Sequence, residues 1–333
     1  MIVATGSGDL LSGDALAVFV SRPQVVCINT AAFGILHPLR VVRQSFFTVI
    51  LTVFKLLSRL PLPLLHLLGA IFGLLALLRG RHARLLRDNL AQAGMQGQVS
   101  LIAVAAGLGQ GVVELAAIWL RPLATVTGWV RQVDGLEHVE AAQAAGKGVV
   151  LLTPHLGCWE LAGIWYGAQF PMTALYRPPK QPWAHALMKG GRERGHIVTV
   201  PPDRSGVKAL LSAIKRGEAA FILPDQSTRD GVFAPFFGRS VAFPVLPYRL
   251  ANSTGAAVLL LCCERLSWGR GYRLRISRID PLPKDDAAAA AWVHARIEAR
   301  IRALPAQYLW SYRIFRQHGK TAPDDPAWTD WAA

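Results

Sequence analysis

GKGVVLLTPHLGCWELAG, residues 146–163, is the stretch from which the rest of the chain is read. Val149 to Leu152 is an aliphatic run, β-branched at its start and bounded by Gly148 and Pro154, which is the pattern of a short buried strand. After Gly157, the segment CWELAGIWYGAQF is long enough to form a helix. His155 therefore falls in a strand-to-helix turn, with Glu160 in the first turns of the helix, where its carboxylate can face back toward the imidazole. A neutral imidazole takes a proton from an alcohol, and a carboxylate beside it fixes the tautomer and stabilises the imidazolium. The spacing alone also admits a surface histidine–acid pair with no catalytic part, so the remaining blocks have to decide.

Downstream the α/β rhythm continues. Strands are expected at 148–153, 172–176, 197–200, 219–223, 256–262 and 272–278, and helices at 158–169, 182–194, 205–216, 246–253 and 287–303. A further strand, turn and helix precede them in 127–148. Alternation of this kind predicts an α/β fold with a mainly parallel or mixed sheet covered by helices. In an open sheet of this type, ligand-binding residues gather at the carboxyl ends of the strands.

The N-terminal part differs in character. Gln44 to Phe54 is apolar up to Lys55, and Leu60 to Leu78 runs 19 residues without a formal charge, interrupted by Pro61, Pro63 and His66. A spanning helix needs about 20 apolar residues. Arg40 and Arg43 precede this block, and Arg79, Arg81, Arg84 and Arg87 follow it, a polybasic collar that marks a cytoplasmic leaflet. One anchor helix followed by an amphipathic or re-entrant helix is the expectation; two buried helices of a soluble domain is the alternative. The whole chain is 52% hydrophobic and 17% charged yet carries a net charge of +15. Apolar and basic together, with no zinc-finger spacing or RNA-binding aromatic signature, point to an anionic membrane surface, an acidic protein or a phosphorylated substrate before nucleic acid. The expected organisation is a poorly defined extension (1–36), anchor and interfacial helices (37–95), a catalytic domain (96–320) and a tail (321–333).

Other blocks carry chemistry more weakly. Tyr176-Arg177-Pro178-Pro179 places a guanidinium after a strand, suited to a phosphate or carboxylate or simply covering the sheet edge. In 219–244 an apolar strand empties into Pro224-Asp225-Gln226, followed by Arg229 and an aromatic group of Phe233, Phe236 and Phe237 that suits an acyl groove or a core. Residues 297–317 combine Tyr308, Trp310, Tyr312 and Phe315 with Arg313 and Arg316, fitting a membrane interface or a packed C-terminal segment. Cys27, Cys158, Cys262 and Cys263 form no CxxC pair; Cys262 and Cys263 read as buried packing residues, and Cys158 as a small residue of the helix entry or a nucleophile beside His155. Glycine-rich phosphate loops, a GxSxG elbow and HExxH spacing are absent, which moves nucleotide-driven, serine-hydrolase and zinc-hydrolase readings out of the front rank.

Taken together, the blocks resemble the bacterial lipid A biosynthesis (lauroyl/myristoyl) acyltransferase family of the lysophospholipid acyltransferase superfamily. The resemblance rests on His37-Pro38 with LPLPLLHLLGAIFGLL, RHARLLRDNLAQAG, PHLGCWE, YRPPKQP, LPDQSTRDGVFAPFFGR and LPAQYLWSYRIFR, all in the family's order. It implies a glycerol-phosphate acyltransferase-like fold and a His155–Glu160 pair in which His155 deprotonates a lipid hydroxyl that attacks a thioester on acyl carrier protein. Arg177 would bind substrate phosphate or organise the site, with Asp225 and Arg229 assisting. Partners would be acyl carrier protein, a phosphorylated lipid A precursor and the bacterial inner membrane at its cytoplasmic face, with no metal or cofactor needed. An ornithine lipid or glycolipid acceptor, or a non-catalytic membrane lipid-binding protein, is the alternative. The chain departs from the family's pattern at Ala242-Phe243-Pro244, where a Thr is usual.

Overall fold

The computed structural model describes residues 48–179 and 181–315. The expected extension, tail, His37-Pro38, Arg40, Arg43 and Arg316 lie outside these residues. The strands are β1 (Val130–Asp134), β2 (Val149–Leu152), β3 (Met172–Leu175), β4 (Ile197–Val200), β5 (Ala219–Ile222), β6 (Val232–Phe236), β7 (Arg239–Phe243), β8 (Ala257–Arg265) and β9 (Tyr272–Arg278). The helices are α1 (Thr48–Ser58), α2 (Leu62–Ala76), α3 (Gly80–Gln92), α4 (Leu101–Leu120), α5 (Leu123–Thr127), α6 (Leu136–Ala145), α7 (Trp159–Gly167), α8 (Pro182–Arg192), α9 (Arg204–Lys215), α10 (Leu246–Thr254) and α11 (Asp286–Ala303). The chain divides into two units, residues 1–53 and 54–333. Every strand, and every helix from α2 onward, belongs to the second.

Seven strands form one sheet in the order β1-β9-β8-β2-β5-β3-β4. From β8 to β4 all pairings are parallel, whereas β9 runs antiparallel to β8 and carries β1 parallel beside it. The sheet is therefore mixed and parallel-dominated, as expected. Its period of two sorts the strands onto two cores. Val150, Leu152, Ala220, Ile222, Val258 and Leu260 face one core. Val149, Leu151, Ala219, Phe221, Leu259 and Leu261 face the other. Helices cover both faces, which is why β2 and β5 read as continuous apolar runs.

The 232–243 hairpin was not expected. β6 and β7 pair antiparallel around the two-residue turn Phe237-Gly238, both with positive φ (52° and 72°). Such turns favour Asn-Gly or Asp-Gly, so phenylalanine hides the signal. Phe237 is held there by its neighbours: its N–H donates to Glu298, and its ring packs on Phe236, Trp310 and the Arg302 guanidinium. Phe236 and Phe237 are buried in the core, and so are Tyr308 and Trp310 of the C-terminal segment. The core alternative is the one realised for these residues.

α2 and α4 pack at backbone distance. A Cβ on Gly73 would collide with the Ala105 carbonyl, and one on Gly109 with the Gly69 carbonyl. The small-xxx-small spacing on both helices permits this approach. α4 is long and apolar enough to cross a membrane by length and composition. Its buried side, including Val104, Ala105, Glu114 and Ile118, meets α2, α8 and the 305–307 turn. α2 buries Leu62, Leu65, His66, Gly69 and Gly73 and leaves Leu64, Leu67, Ile71, Phe72, Leu74 and Leu75 exposed. The chain then bends by 98° into α3.

Candidate active site

Register builds the site. β2 and β5 are adjacent and parallel with Leu152 opposite Ile222. His155 and Asp225 each lie three positions beyond those partners, so they emerge at one height on the carboxyl edge of the sheet. The imidazole Nδ1 is 2.8 Å from Asp225 Oδ1, and the His155 backbone N–H donates to Oδ2 at 2.8 Å. Asp225 is buried. Burial raises its pKa, but His155, through its charge when protonated and through its ring and backbone hydrogen bonds, outweighs this and the carboxyl sits below its usual value. An ionised carboxylate only accepts, so Nδ1 carries the proton and Nε2 is the basic nitrogen. The Gln226 amide donates to that Nε2 at 3.3 Å, and Trp159 meets the ring edge-on at 5.2 Å. Behind Asp225 lies the buried Tyr308 phenol, its pKa driven well up by burial and by the Asp225 carboxylate it hydrogen-bonds.

Glu160 occupies the first turn of α7, where the helix dipole favours a carboxylate. It does not face the imidazole. Arg192, at the end of α8, donates Nε to both carboxylate oxygens at 3.0 Å and Nη2 to one of them, and the Trp119 indole donates at 3.3 Å. Helical geometry explains the difference: Glu160 is the second residue of α7, already turned away from the loop that ends at Cys158. Burial works against the Arg192 charge, but Glu160 more than offsets it. The Arg192 guanidinium also covers the Tyr176 ring at 5.3 Å.

Arg177 follows β3 and Arg229 follows β5, both exposed and neither bonded to His155, Asp225 or Glu160. Cys158 is buried, and burial followed by the Glu114 charge pushes its thiol well up, which removes it as a thiolate nucleophile. Among the described residues no group of three or more His, Cys, Asp or Glu is placed to hold a metal ion. Sequence reasoning missed Arg192 and Trp119, which carried no motif. It also passed over Glu114, whose signal was visible: a lone charge in an apolar helix of 20 residues demands a buried partner.

A histidine held through Nδ1 by a buried carboxylate at the carboxyl edge of an α/β sheet is an arrangement that can act as a general base. The family model for bacterial lipid A biosynthesis acyltransferases matches residues 35–317. The Lipid A biosynthesis palmitoleoyltransferase of Escherichia coli is 33% identical over 277 residues, 80% of this chain and 89% of that one. The Lipid A biosynthesis lauroyltransferase of the same organism is 30% identical over 283 residues, 81% and 91% of the two chains. A Phosphatidylinositol mannoside acyltransferase of Mycobacterium tuberculosis is 31% identical over 186 residues, 54% and 58%. The chain belongs to the bacterial lipid A biosynthesis acyltransferase family and is an acyltransferase.

Proposed function

We propose that this enzyme moves a fatty acyl chain from acyl carrier protein to a hydroxyl of a lipid A precursor at the cytoplasmic face of the inner membrane. The observation that carries the mechanism is the Asp225 clamp, which commits Nδ1 and leaves Nε2 to act. Nε2 takes the proton of the acceptor hydroxyl as its oxygen attacks the thioester carbonyl. The C–S bond of the tetrahedral intermediate then breaks, and the imidazolium returns the proton to the departing thiolate. Ester and free thiol are the products, and Asp225 stabilises the imidazolium between the two transfers. Gln226, which holds Nε2 at rest, yields its place to the acceptor. Glu160 acts through the Arg192 guanidinium that it holds and keeps charged. Exposed Arg177 and Arg229 supply cationic groups at the same edge for acceptor phosphates.

The exposed apolar face of α2, next to the arginines of α3, suits an anionic bilayer, and a net charge of +15 suits an acidic carrier protein. Acylation of a different glycolipid is the second reading, favoured by the mycobacterial relative's name. Mass spectrometry of lipid A from a deletion strain tests the acceptor. Loss of one secondary acyl chain is expected, and an unchanged profile moves the acceptor to another lipid. His155→Ala abolishes thioester-dependent transfer while membrane association persists; full activity in that variant ends the mechanism.

A further inference from the structure

Two charged side chains grip the His155–Cys158 turn, one at each end. Asp225 holds His155. At the far end Arg265, the last residue of β8, donates Nη2 to the Gly157 carbonyl at 2.8 Å. The same guanidinium is locked on Glu114, with Nε at 2.9 and 2.8 Å from the two oxygens and Nη2 at 2.7 Å from one. Both residues are buried. Glu114 also accepts from the Tyr272 phenol at 2.8 Å and lies 3.2 Å from His66 Nε2 of α2.

Gly157 is held on both its backbone groups. Its N–H donates to the Gln307 carbonyl at 3.0 Å, while its C=O accepts from Arg265. Gln307 and Arg265 hold each other in turn, through Arg265 N–H to Gln307 Oε1 at 2.9 Å and Gln307 Nε2 to the Arg265 carbonyl at 3.1 Å. A side chain at Gly157 would collide with the Cys263 carbonyl, and its φ is +63°. The turn is thus pressed onto β8 and cannot relax there. Arg265 Nη1 is buried with no partner. A buried pair that leaves a donor unsatisfied is poor as a stabiliser alone.

We propose that Arg265, fixed by Glu114 and Gln307, is a positioning residue for acyl transfer: by holding the Gly157 carbonyl it sets the height and tilt of the His155 ring over Asp225. The proposal rests on the reading of His155 as the base. Because Glu114 also meets His66, the seat of the apolar helix α2 and the pose of the base share one carboxylate. Displacing a base by about 1 Å costs on the order of a hundredfold in rate.

Arg265→Ala would leave the buried Glu114 charge without its cation and strongly destabilise the fold, so two other variants carry the test. Arg265→Lys keeps the charge on Glu114, but a single ammonium lacks the fork that reaches Glu114 and Gly157 together. Glu114→Gln with Arg265→Met removes both charges and leaves a neutral amide for His66 and Tyr272. In both, kcat falls about ten- to a hundredfold with KM for thioester and acceptor changed less than about threefold. Hydrogen exchange of the 153–160 amides quickens in both. Wild-type kcat in the folded variants, or a fall matched by the unfolded fraction, overturns the proposal. If His155→Ala keeps full activity, the His155 reading fails instead. In that case exchange alone decides, and unchanged protection of the turn in the double variant overturns the positioning role.

Discussion

At the scale of the residue, two carboxylates compete for the part of orienting the base, and geometry separates them. Asp225 touches both the ring and the backbone of His155, whereas Glu160 is spent on Arg192 and Trp119. Asp225→Asn is expected to lower kcat by at least about a hundredfold, since an amide can offer its N–H to Nδ1 and stabilise the wrong tautomer. Glu160→Gln keeps hydrogen-bonding capacity toward Arg192 and is expected to cost less. Steady-state kinetics of the two variants at one pH check this ordering, and the reverse ordering returns the role to Glu160. Because Asp225 stays ionised below the usual carboxylate range, a loss of rate on mild acidification belongs to another group. The His155–Glu160 spacing was legible in the chain, but a spacing reports which residues are near one turn and not which way a helix points them. The partner 70 residues away was legible as a candidate site residue at the end of a strand, but not as the group that holds the ring.

At the scale of the element, α11 presents an unusual histidine to the core. His294 is fully buried, stacked on Phe243 at 3.4 Å between centroids and edge-on to Phe236 at 5.7 Å. Its Nδ1 lies 2.8 Å from the Ala290 carbonyl and its Nε2 3.3 Å from the carbonyl of Pro224, the residue before Asp225. Burial lowers its pKa from 6.5 to about 4. The native state therefore remains neutral where the unfolded chain takes up a proton. The resulting stability is fully present above pH 6.5 and lost as the pH falls toward about 4. The loss amounts to about 3 kcal/mol, from roughly 1.4 kcal/mol per unit of pKa. Denaturant titrations across that range are expected to show the slope, and His294→Gln to flatten it; an equal slope in the variant assigns the acid sensitivity elsewhere. Most helices and strands were readable here, because apolar runs and their Gly/Pro boundaries are local signals. The β6–β7 hairpin was not, because Phe237 holds positive φ through contacts made by α11 and the C-terminal segment.

At the scale of the whole molecule, the apolar face of α2 is exposed while its glycine face is locked onto α4. Leu67→Glu combined with Ile71→Glu places two charges on the outer face without touching the packed one. Such a variant is expected to lose cosedimentation with anionic vesicles by about tenfold while its thermal midpoint holds, since surface changes away from packed features move stability by roughly 0.5 kcal/mol or less. Undiminished vesicle binding would move the docking surface away from α2. The polybasic residues beyond the bend into α3 are expected to make vesicle binding weaken as ionic strength rises.

Residues 146–163 by themselves determined a buried strand, a turn bearing His155 and a helix bearing Glu160, because periodicity and Gly/Pro boundaries act within a few residues. Together with the later blocks they also determined the family, since matching order along the chain needs no coordinates. Tertiary structure alone decided that Asp225 holds the imidazole, that Glu160 serves Arg192, and that Arg265 reaches the turn from behind. Those pairings come from the order β8-β2-β5 and its parallel register. Strand order is settled by burying two faces of one sheet at once, a condition on the whole chain that no local stretch expresses.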